Sequence, residues 1–334
     1  MKMTSPLPNF AILAALCLVA LVPLAARAQT VWQLASGYSE NTFQTVNLKQ
    51  FARDVAVATG GKLTIEVHAN NTLCKLGEIA SRVESGAIAA GETIMSNLAA
   101  EIPVAGADSV PFIVGSYDDA RRLWKAQRPV LDAELARKGL VGLYAVAWPP
   151  QGLYATRPIR SSSDLKGLKM RTYNAATQRI AEQLGAHPVD VMMTDLAQAM
   201  AAGRVEAMIT SGATGIDSHA WEQLKYFYDI HAWYPKNIVL VNQAAWAALD
   251  RKTQDGLRAA AAAAEARGWQ MSQAAEAASL TELAARGMHL DSVDFEFRSE
   301  MRRYGERFSV EWVRATGQGA SAILIPYYVT AASR

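Results

Sequence analysis

Segments with strand and helix patterns alternate along most of this chain. Residues 63–68 alternate between apolar and polar side chains, and residues 140–147 are mostly apolar, so both are typical of strands. Longer stretches with a helical apolar stripe, such as residues 42–59, lie between the strand-like segments. This alternation is typical of α/β layers with largely parallel sheets. At 334 residues the chain exceeds the usual size of one hydrophobic core, so we expect two lobes.

One short segment breaks the alternation. Residues 148–152 place two prolines and a glycine in succession, and such a run cannot continue a strand interior. It therefore predicts the first crossing between the lobes. Residues 250–286 are almost all helix formers, so we expect a helix much longer than average that braces both lobes. We assign residues 29–149 and 236–276 to lobe I, and residues 150–235 and 277–334 to lobe II.

The N-terminus has the pattern of a cleavable signal peptide. Lys2 precedes a short apolar run, and Ala26 and Ala28 offer the small residues that a signal peptidase reads. We expect residues 1–28 to be removed during export to the periplasm. Removal takes away Lys2 and Arg27 and leaves 31 basic and 31 acidic residues, so any preference for an anion must come from local groups.

Motifs of catalysis, metal binding and nucleic-acid binding are missing from the sequence. We find no nucleophile elbow, no phosphate-binding loop, no zinc-protease motif and no Lys/Arg run. Only Cys74 remains after export, which excludes an internal disulfide. We therefore expect neither an enzyme nor a nucleic-acid binder, and no cofactor; no Cys/His cluster has the spacing of metal ligands, so we assign no metal-binding residues. A periplasmic hydrolase or lyase on the same fold remains an alternative.

The segment 164–174, with the sequence DLKGLKMRTYN, resembles the signature of DctP-type solute-binding proteins of TRAP (tripartite ATP-independent periplasmic) transporters. Residues 59–63 (TGGKL) and 235–237 (PKN) are similar to further turns of that family. The resemblance implies a two-lobed periplasmic-binding-protein (Venus-flytrap) fold with mixed sheets. It also implies capture of a small organic acid and delivery to TRAP permease subunits in the inner membrane. A binding protein that serves a sensor kinase is the alternative within the same class.

Arg171 is the principal candidate for ligand binding. It lies at the end of a predicted strand and just before a predicted helix, where open α/β sheets bind ligands. A guanidinium there can donate two hydrogen bonds to one carboxylate. The resemblance implies the same role, because the matching arginine of the family holds the substrate carboxylate. A surface arginine in a salt bridge is the structural alternative.

Gln151 bears on the class of ligand. Some sialic-acid and dicarboxylate binders of the family have a second arginine at this position, so glutamine favours a ligand with one carboxylate and a neutral or apolar body. A solvated glutamine in a turn is the structural alternative. We expect an aromatic, hydroxy or keto acid. Thr210 and Ser211 offer hydroxyls where relatives have an acid and an amide, although they could equally cap a helix.

The remaining candidates follow strands or cluster near the expected cleft. Lys75 could add a second positive charge, although such lysines are more often solvated. Met193 could equally be a core residue. The full set of these candidates is Trp148, Tyr154, Tyr173, Asn174, Met193, Ser96, Asn97, Tyr38, Lys75 and Tyr234.

Overall fold

The structure is a computed structural model that describes residues 29–332, so the predicted signal peptide lies outside the described residues. The strands are β1 Thr30–Ala35, β2 Leu63–His68, β3 Ala90–Ile94, β4 Leu140–Ala147, β5 Gln151–Ala155, β6 Lys169–Thr172, β7 His187–Asp190, β8 Ala207–Ser211, β9 Tyr226–Tyr228, β10 Lys236–Asn242 and β11 His289–Asp291. The helices are α1 Phe43–Ala58, α2 Ile79–Glu84, α3 Tyr117–Arg137, α4 Ala175–Gln183, α5 Leu196–Ala201, α6 Gly212–Asp217, α7 Gln243–Ala247, α8 Arg251–Ala285, α9 Phe295–Thr316 and α10 Gln318–Ala332.

The first lobe is built on a five-stranded sheet with the order β2-β1-β3-β10-β4. β1 pairs in parallel with β2 and β3, whereas β10 runs antiparallel to β3 and β4. Gly60 and Gly61 end α1 with φ angles of 60° and 75°, a left-handed conformation that favours glycine. This turn returns the chain from α1 into β2, so that Phe51 and Val55 of α1 are buried against the sheet.

The second lobe contains a six-stranded sheet with the order β11-β9-β5-β8-β6-β7. β6 pairs in parallel with β7 and β8, whereas β5 runs antiparallel to β8 and β9. Both sheets are therefore mixed, and the expected two-lobed α/β class is confirmed.

The chain passes between the sheets at three places. Residues 148–150 join β4 of the first sheet to β5 of the second, and residues 229–235 lead from β9 back to β10. The third connection is α8, a single helix of 35 residues. It packs on α1 and β4 in the first lobe and on α6 and β11 in the second. Since one rigid helix contacts both lobes, it positions the lobes relative to each other.

Several short elements were not expected from the sequence. β7 includes Pro188 and lies at a sheet edge, where proline is tolerated. β9 and β11 contain three residues each, too few for an alternating pattern.

The C-terminal helix α10 packs on α3 of the first lobe, with Ile323 and Tyr327 buried there. This corrects the division that assigned all of residues 277–334 to lobe II.

None of the helices in residues 29–332 is long and apolar enough to cross a membrane.

Candidate ligand-binding cleft

A cavity lies between the lobes where the ends of several strands meet. Its empty space is about 460 Å³, counting the solvent at its mouth. Parts of both sheets contribute, because β3, β6 and β8 end beside it and the antiparallel strand β5 begins there at Gln151. The residues that line it are Tyr38, Leu76, Ile94, Asn97, Trp148, Gln151, Arg171, Tyr173, Met192, Met193, Thr210, Thr214 and Pro235.

Arg171 provides the positive charge of the cavity. It lies near the end of β6, paired with Val189 on β7 and Met208 on β8. Its Nε donates a hydrogen bond of 2.9 Å to the Val191 carbonyl oxygen. The guanidinium carbon lies 4.8 Å from the centre of the Tyr173 ring. One face and one edge of the guanidinium are therefore fixed, and its two terminal nitrogens are the donors that a carboxylate could use.

Within the described residues, the charge on Arg171 is not paired in a salt bridge. The residue is only 4% exposed, and no carboxylate of residues 29–332 lies within 4.0 Å of its nitrogens. Burial lowers the pKa of Arg171 to about 10, so the side chain is still positive at neutral pH. A buried, unpaired cation is costly unless an anion joins it. The cavity is therefore built to receive a negatively charged ligand.

Neutral polar groups surround this charge. Gln151 is buried, and its Nε2 donates to the Pro149 carbonyl oxygen at 2.9 Å. Asn97 donates through Nδ2 to Thr93 Oγ1 at 3.2 Å. In both amides the side-chain oxygen is left to accept from a ligand. Thr210 adds a buried hydroxyl. The arrangement can therefore bind a polar group next to a carboxylate.

Two aromatic rings form a wall on the first lobe. Tyr38 and Trp148 lie with ring centroids 5.2 Å apart. Tyr38 Oη and Trp148 Nε1 both donate to Asn237 Oδ1, at 3.1 and 2.8 Å. Burial raises the pKa of Tyr38 far above its usual value, so its hydroxyl stays protonated and remains a donor. A single buried asparagine therefore holds both rings in place.

A buried carboxyl lies in the sheet near this wall. Glu92 of β3 is 2% exposed, and its Oε2 accepts from Ser36 Oγ at 2.9 Å. Burial raises the pKa of Glu92 to about 7. The group is therefore partly protonated near neutrality, which limits negative charge near an anion site.

Two hydrogen bonds join the lobes beside the cavity. Asn174 Nδ2 donates to Ser96 Oγ at 2.7 Å, and Thr42 Oγ1 donates to Asp217 Oδ2 at 3.2 Å. Each bond joins a residue of the first lobe to one of the second. They link the two lobes in the arrangement seen here.

The structure brings many of the predicted site residues together. Those that line the cavity are Arg171, Gln151, Trp148, Tyr173, Met193, Thr210, Asn97 and Tyr38. Asn174 and Ser96 do not line it, because they bond to each other across the lobes.

Four predicted residues point elsewhere. Tyr154 is three positions after Gln151 on β5, so it faces the other side of the sheet and donates to the Ser211 carbonyl oxygen at 3.1 Å. Ser211 caps α6 by accepting from the Thr214 amide. Lys75 is exposed to solvent. Tyr234 contacts His231 Nδ1 through its hydroxyl at 3.0 Å. These four assignments as cavity-lining residues are corrected.

Sequence reasoning missed several residues of the cavity wall. Leu76, Ile94 and Pro235 give apolar contact, Met192 precedes the predicted Met193, and Thr214 follows the cap of α6. Leu76 and Ile94 look like ordinary core residues in a sequence. Pro235 and Asn237 belong to the segment 235–237, which resembles a turn of the DctP family. That resemblance was the one sequence signal that could have placed this segment at the cavity wall.

Two larger hollows lie on outer surfaces. One is lined by Arg298 and Arg302 of α9, and the other lies between α3 and α8 with Arg121 and Lys125 at its rim. All four cations are exposed, and water already solvates them. Of these three hollows in the described part of the chain, the inter-lobe cavity alone places a buried, unpaired cation beside neutral donors and acceptors, so we identify it as the candidate functional site.

Comparison with known proteins gives the same assignment. The bacterial extracellular solute-binding protein family 7, DctP, matches residues 34–311. The receptor DctP6 of Bordetella pertussis, solved with pyroglutamic acid, is 42% identical, with a TM-score of 0.88 over 90% of this chain and 99% of that chain. DctP7 of the same organism, which also binds pyroglutamic acid, is 36% identical with the same TM-score and coverage. A marine metagenome TRAP protein specific for pyroglutamate is 35% identical, again with a TM-score of 0.88 over 90% of this chain and 99% of that chain.

The two lobes and the unpaired cation between them define an extracytoplasmic receptor for small organic anions. The chain belongs to family 7 of the bacterial extracellular solute-binding proteins, the DctP family of TRAP transporters. It captures a small organic acid and delivers it to a TRAP permease, and it is not an enzyme. The sensor-kinase and hydrolase alternatives are not supported.

Proposed function

We propose that the ligand is a small cyclic acid with one carboxylate, of the pyroglutamate type. The observation behind this proposal is that Arg171 is the only charged side chain among the described residues that line the cavity. One cation balances one carboxylate, and a second carboxylate would be buried without a partner. Three similar receptors bind pyroglutamate, which supports the proposal.

The lactam ring of pyroglutamate matches the neutral groups of the cavity. The lactam N–H can donate to Gln151 Oε1 or to Asn97 Oδ1, and the lactam oxygen can accept from the Thr210 hydroxyl. The apolar ring carbons would contact Trp148 and Leu76, which line the same space. This proposal narrows the sequence expectation of an aromatic, hydroxy or keto acid.

Calorimetry with Arg171→Ala tests the role of the guanidinium. Removing one partner of a buried charge pair costs about 2–5 kcal/mol, so pyroglutamate affinity is expected to fall by at least about thirtyfold. Arg179→Ala is the matched control, because that arginine is exposed and bonds Glu311. Full affinity in Arg171→Ala would remove Arg171 from the site.

A ligand series tests the class of acid. Cyclopentanecarboxylate keeps the ring and the carboxylate but lacks the lactam, and glutarate adds a second carboxylate. Both are expected to bind more weakly than pyroglutamate, because one loses hydrogen bonds and the other buries an unpaired charge. Tighter binding of glutarate would contradict the assignment of a monocarboxylate.

We also propose that residues 1–28 are removed on export, which places the mature protein in the periplasm. The support is the apolar run with small residues before Gln29. Mass spectrometry of protein taken from the periplasm is expected to show Gln29 as the first residue. Retention of the apolar run would contradict cleavage.

A further inference from the structure

The methionines of this protein are unevenly exposed. Of the 11 in the sequence, Met1 and Met3 lie outside the described residues. Six of the others are buried, namely Met95, Met170, Met200, Met208, Met288 and Met301. Only Met192, Met193 and Met271 are partly accessible in the described part of the chain. Oxidants in solution therefore reach these three thioethers first.

Two of these three accessible methionines line the ligand cavity. Met192 and Met193 belong to the second lobe but pack on the apolar cluster of the first, which includes Leu76 and Trp148. They also directly follow Val191, whose carbonyl oxygen holds Arg171 Nε at 2.9 Å. The pair therefore contacts both the closing surface of the lobes and the segment that positions the cation.

We propose that Met192 and Met193 form an oxidation site that switches off ligand capture. A peroxide transfers one oxygen atom to each thioether: its O–O bond breaks, an S–O bond forms, and the peroxide is reduced to water as the sulfur is oxidised by two electrons. The product is a methionine sulfoxide, which methionine sulfoxide reductases convert back. Nothing in the transport function itself requires this reaction.

Sulfoxidation opposes binding in two physical ways. The new oxygen is a strong acceptor, and it enters a surface that packs on apolar side chains when the lobes close, where it has a desolvation cost. If it instead turns toward Arg171, it competes with the ligand carboxylate for the guanidinium donors. Either outcome lowers affinity, and we expect a loss of about tenfold or more.

Hydrogen peroxide treatment followed by calorimetry with pyroglutamate tests the proposal, and peptide mass spectrometry locates the added oxygen. Three proteins are compared: wild type, Met192→Leu/Met193→Leu, and the control Met271→Leu. Leucine conserves volume, so folding is expected to be retained. After peroxide treatment, wild type and the control should lose affinity for pyroglutamate and regain it when methionine sulfoxide reductases are added. Because these enzymes repair methionine sulfoxide and not oxidised cysteine, recovery excludes oxidation of Cys74 as the cause. The double variant should be unaffected.

The proposal is overturned if wild type carrying both sulfoxides binds as before, or if the double variant loses as much affinity as wild type. The melting temperature of the ligand-free proteins gives a second readout, since the sulfoxides also weaken the contact between lobes. It should fall after oxidation in wild type and in the control only. The melting temperature is measured without ligand, so it tests the oxidation site independently of the proposed ligand. If the untreated protein fails to bind pyroglutamate, that result counts against the proposed ligand and not against this site.

Discussion

Arg171 shows how a binding residue differs from a stabilising one. Its guanidinium is buried, its neighbours are a carbonyl and an aromatic ring, and no carboxylate of the described residues pairs with it. By contrast, Lys236 is also buried but lies 3.3 Å from Asp108. The fold neutralises one buried cation and leaves the other for the ligand.

This difference predicts a gain in stability when the function is removed. Arg171→Met keeps the apolar stem and deletes the unpaired charge, so the melting temperature of the ligand-free protein should stay the same or rise. Arg179→Met, which breaks an exposed pair with Glu311, should change it only slightly. Differential scanning calorimetry without ligand checks both. A large drop for Arg171→Met would mean that the charge is stabilised within the protein.

Glu92 predicts the pH dependence of stability. Its pKa is raised by burial from 4.5 to about 7, so the folded protein holds this proton more tightly than the unfolded chain does. The stabilisation is complete below about pH 4.5 and is lost as the pH rises through about 7. Glu92→Gln mimics the protonated form and should raise the free energy of unfolding at pH 8 by about 1–3 kcal/mol. Urea unfolding of both proteins at pH 5 and pH 8 measures the change in the free energy of unfolding. An equal effect of Glu92→Gln at both pH values would contradict a raised pKa of Glu92.

At the scale of elements, α8 illustrates a conflict between propensity and packing. Gly268 lies in the middle of this helix, where alanine would normally be better by about 1 kcal/mol. However, a Cβ at Gly268 would lie 2.4 Å from Val146 Cγ2 and 2.7 Å from Asn47 Nδ2. The glycine is needed because α8 crosses β4 and α1 at this point.

Gly268→Ala is therefore expected to destabilise the protein, by about 1–3 kcal/mol, against its helix propensity. Ala263→Gly is the matched control in the same helix, because Ala263 is exposed. This substitution should lower the free energy of unfolding by about 1 kcal/mol, through the lower helix propensity of glycine alone. Chemical unfolding of both variants makes the comparison. Stabilisation by Gly268→Ala would show that the helix shifts freely on the sheet.

At the scale of the whole molecule, closure depends on few direct polar links. The Asn174–Ser96 and Thr42–Asp217 hydrogen bonds join residues of the two lobes. In the proposed complex, the ligand would add a further link between Arg171 of the second lobe and the wall of the first. We infer that these two bonds prolong the closed state without deciding which ligand enters.

The double variant Thr42→Val/Ser96→Ala tests this role. Each hydrogen bond contributes about 0.5–1.5 kcal/mol, so pyroglutamate affinity should fall by about tenfold, mostly through faster dissociation. Stopped-flow kinetics separates the two rates. Ser85→Ala is the control, because that hydroxyl bonds only the Arg82 carbonyl of its own helix. A slower association with unchanged dissociation would argue against a closing role.

Apolar periodicity and one motif were enough to predict the class of fold and the position of the cation. Apolar periodicity located the long elements within a few residues, and Arg171 lies near the end of β6 as expected. Periodicity did not predict elements that are too short to show a pattern, or strands that form only through pairing with a neighbouring strand. β9 and β11 have three residues each, and they are strands only because neighbouring strands bond them.

Which side chains share the cavity could not be predicted from the chain's local patterns. Tyr38, Gln151 and Met192 are far apart in the chain and meet because two sheets face each other. Tyr154 and Gln151 are close in the chain but face opposite sides of one strand. The physical reason is that a cavity wall is defined by sheet pairing and lobe closure, which depend on contacts between distant residues, whereas periodicity reports only on neighbours along the chain.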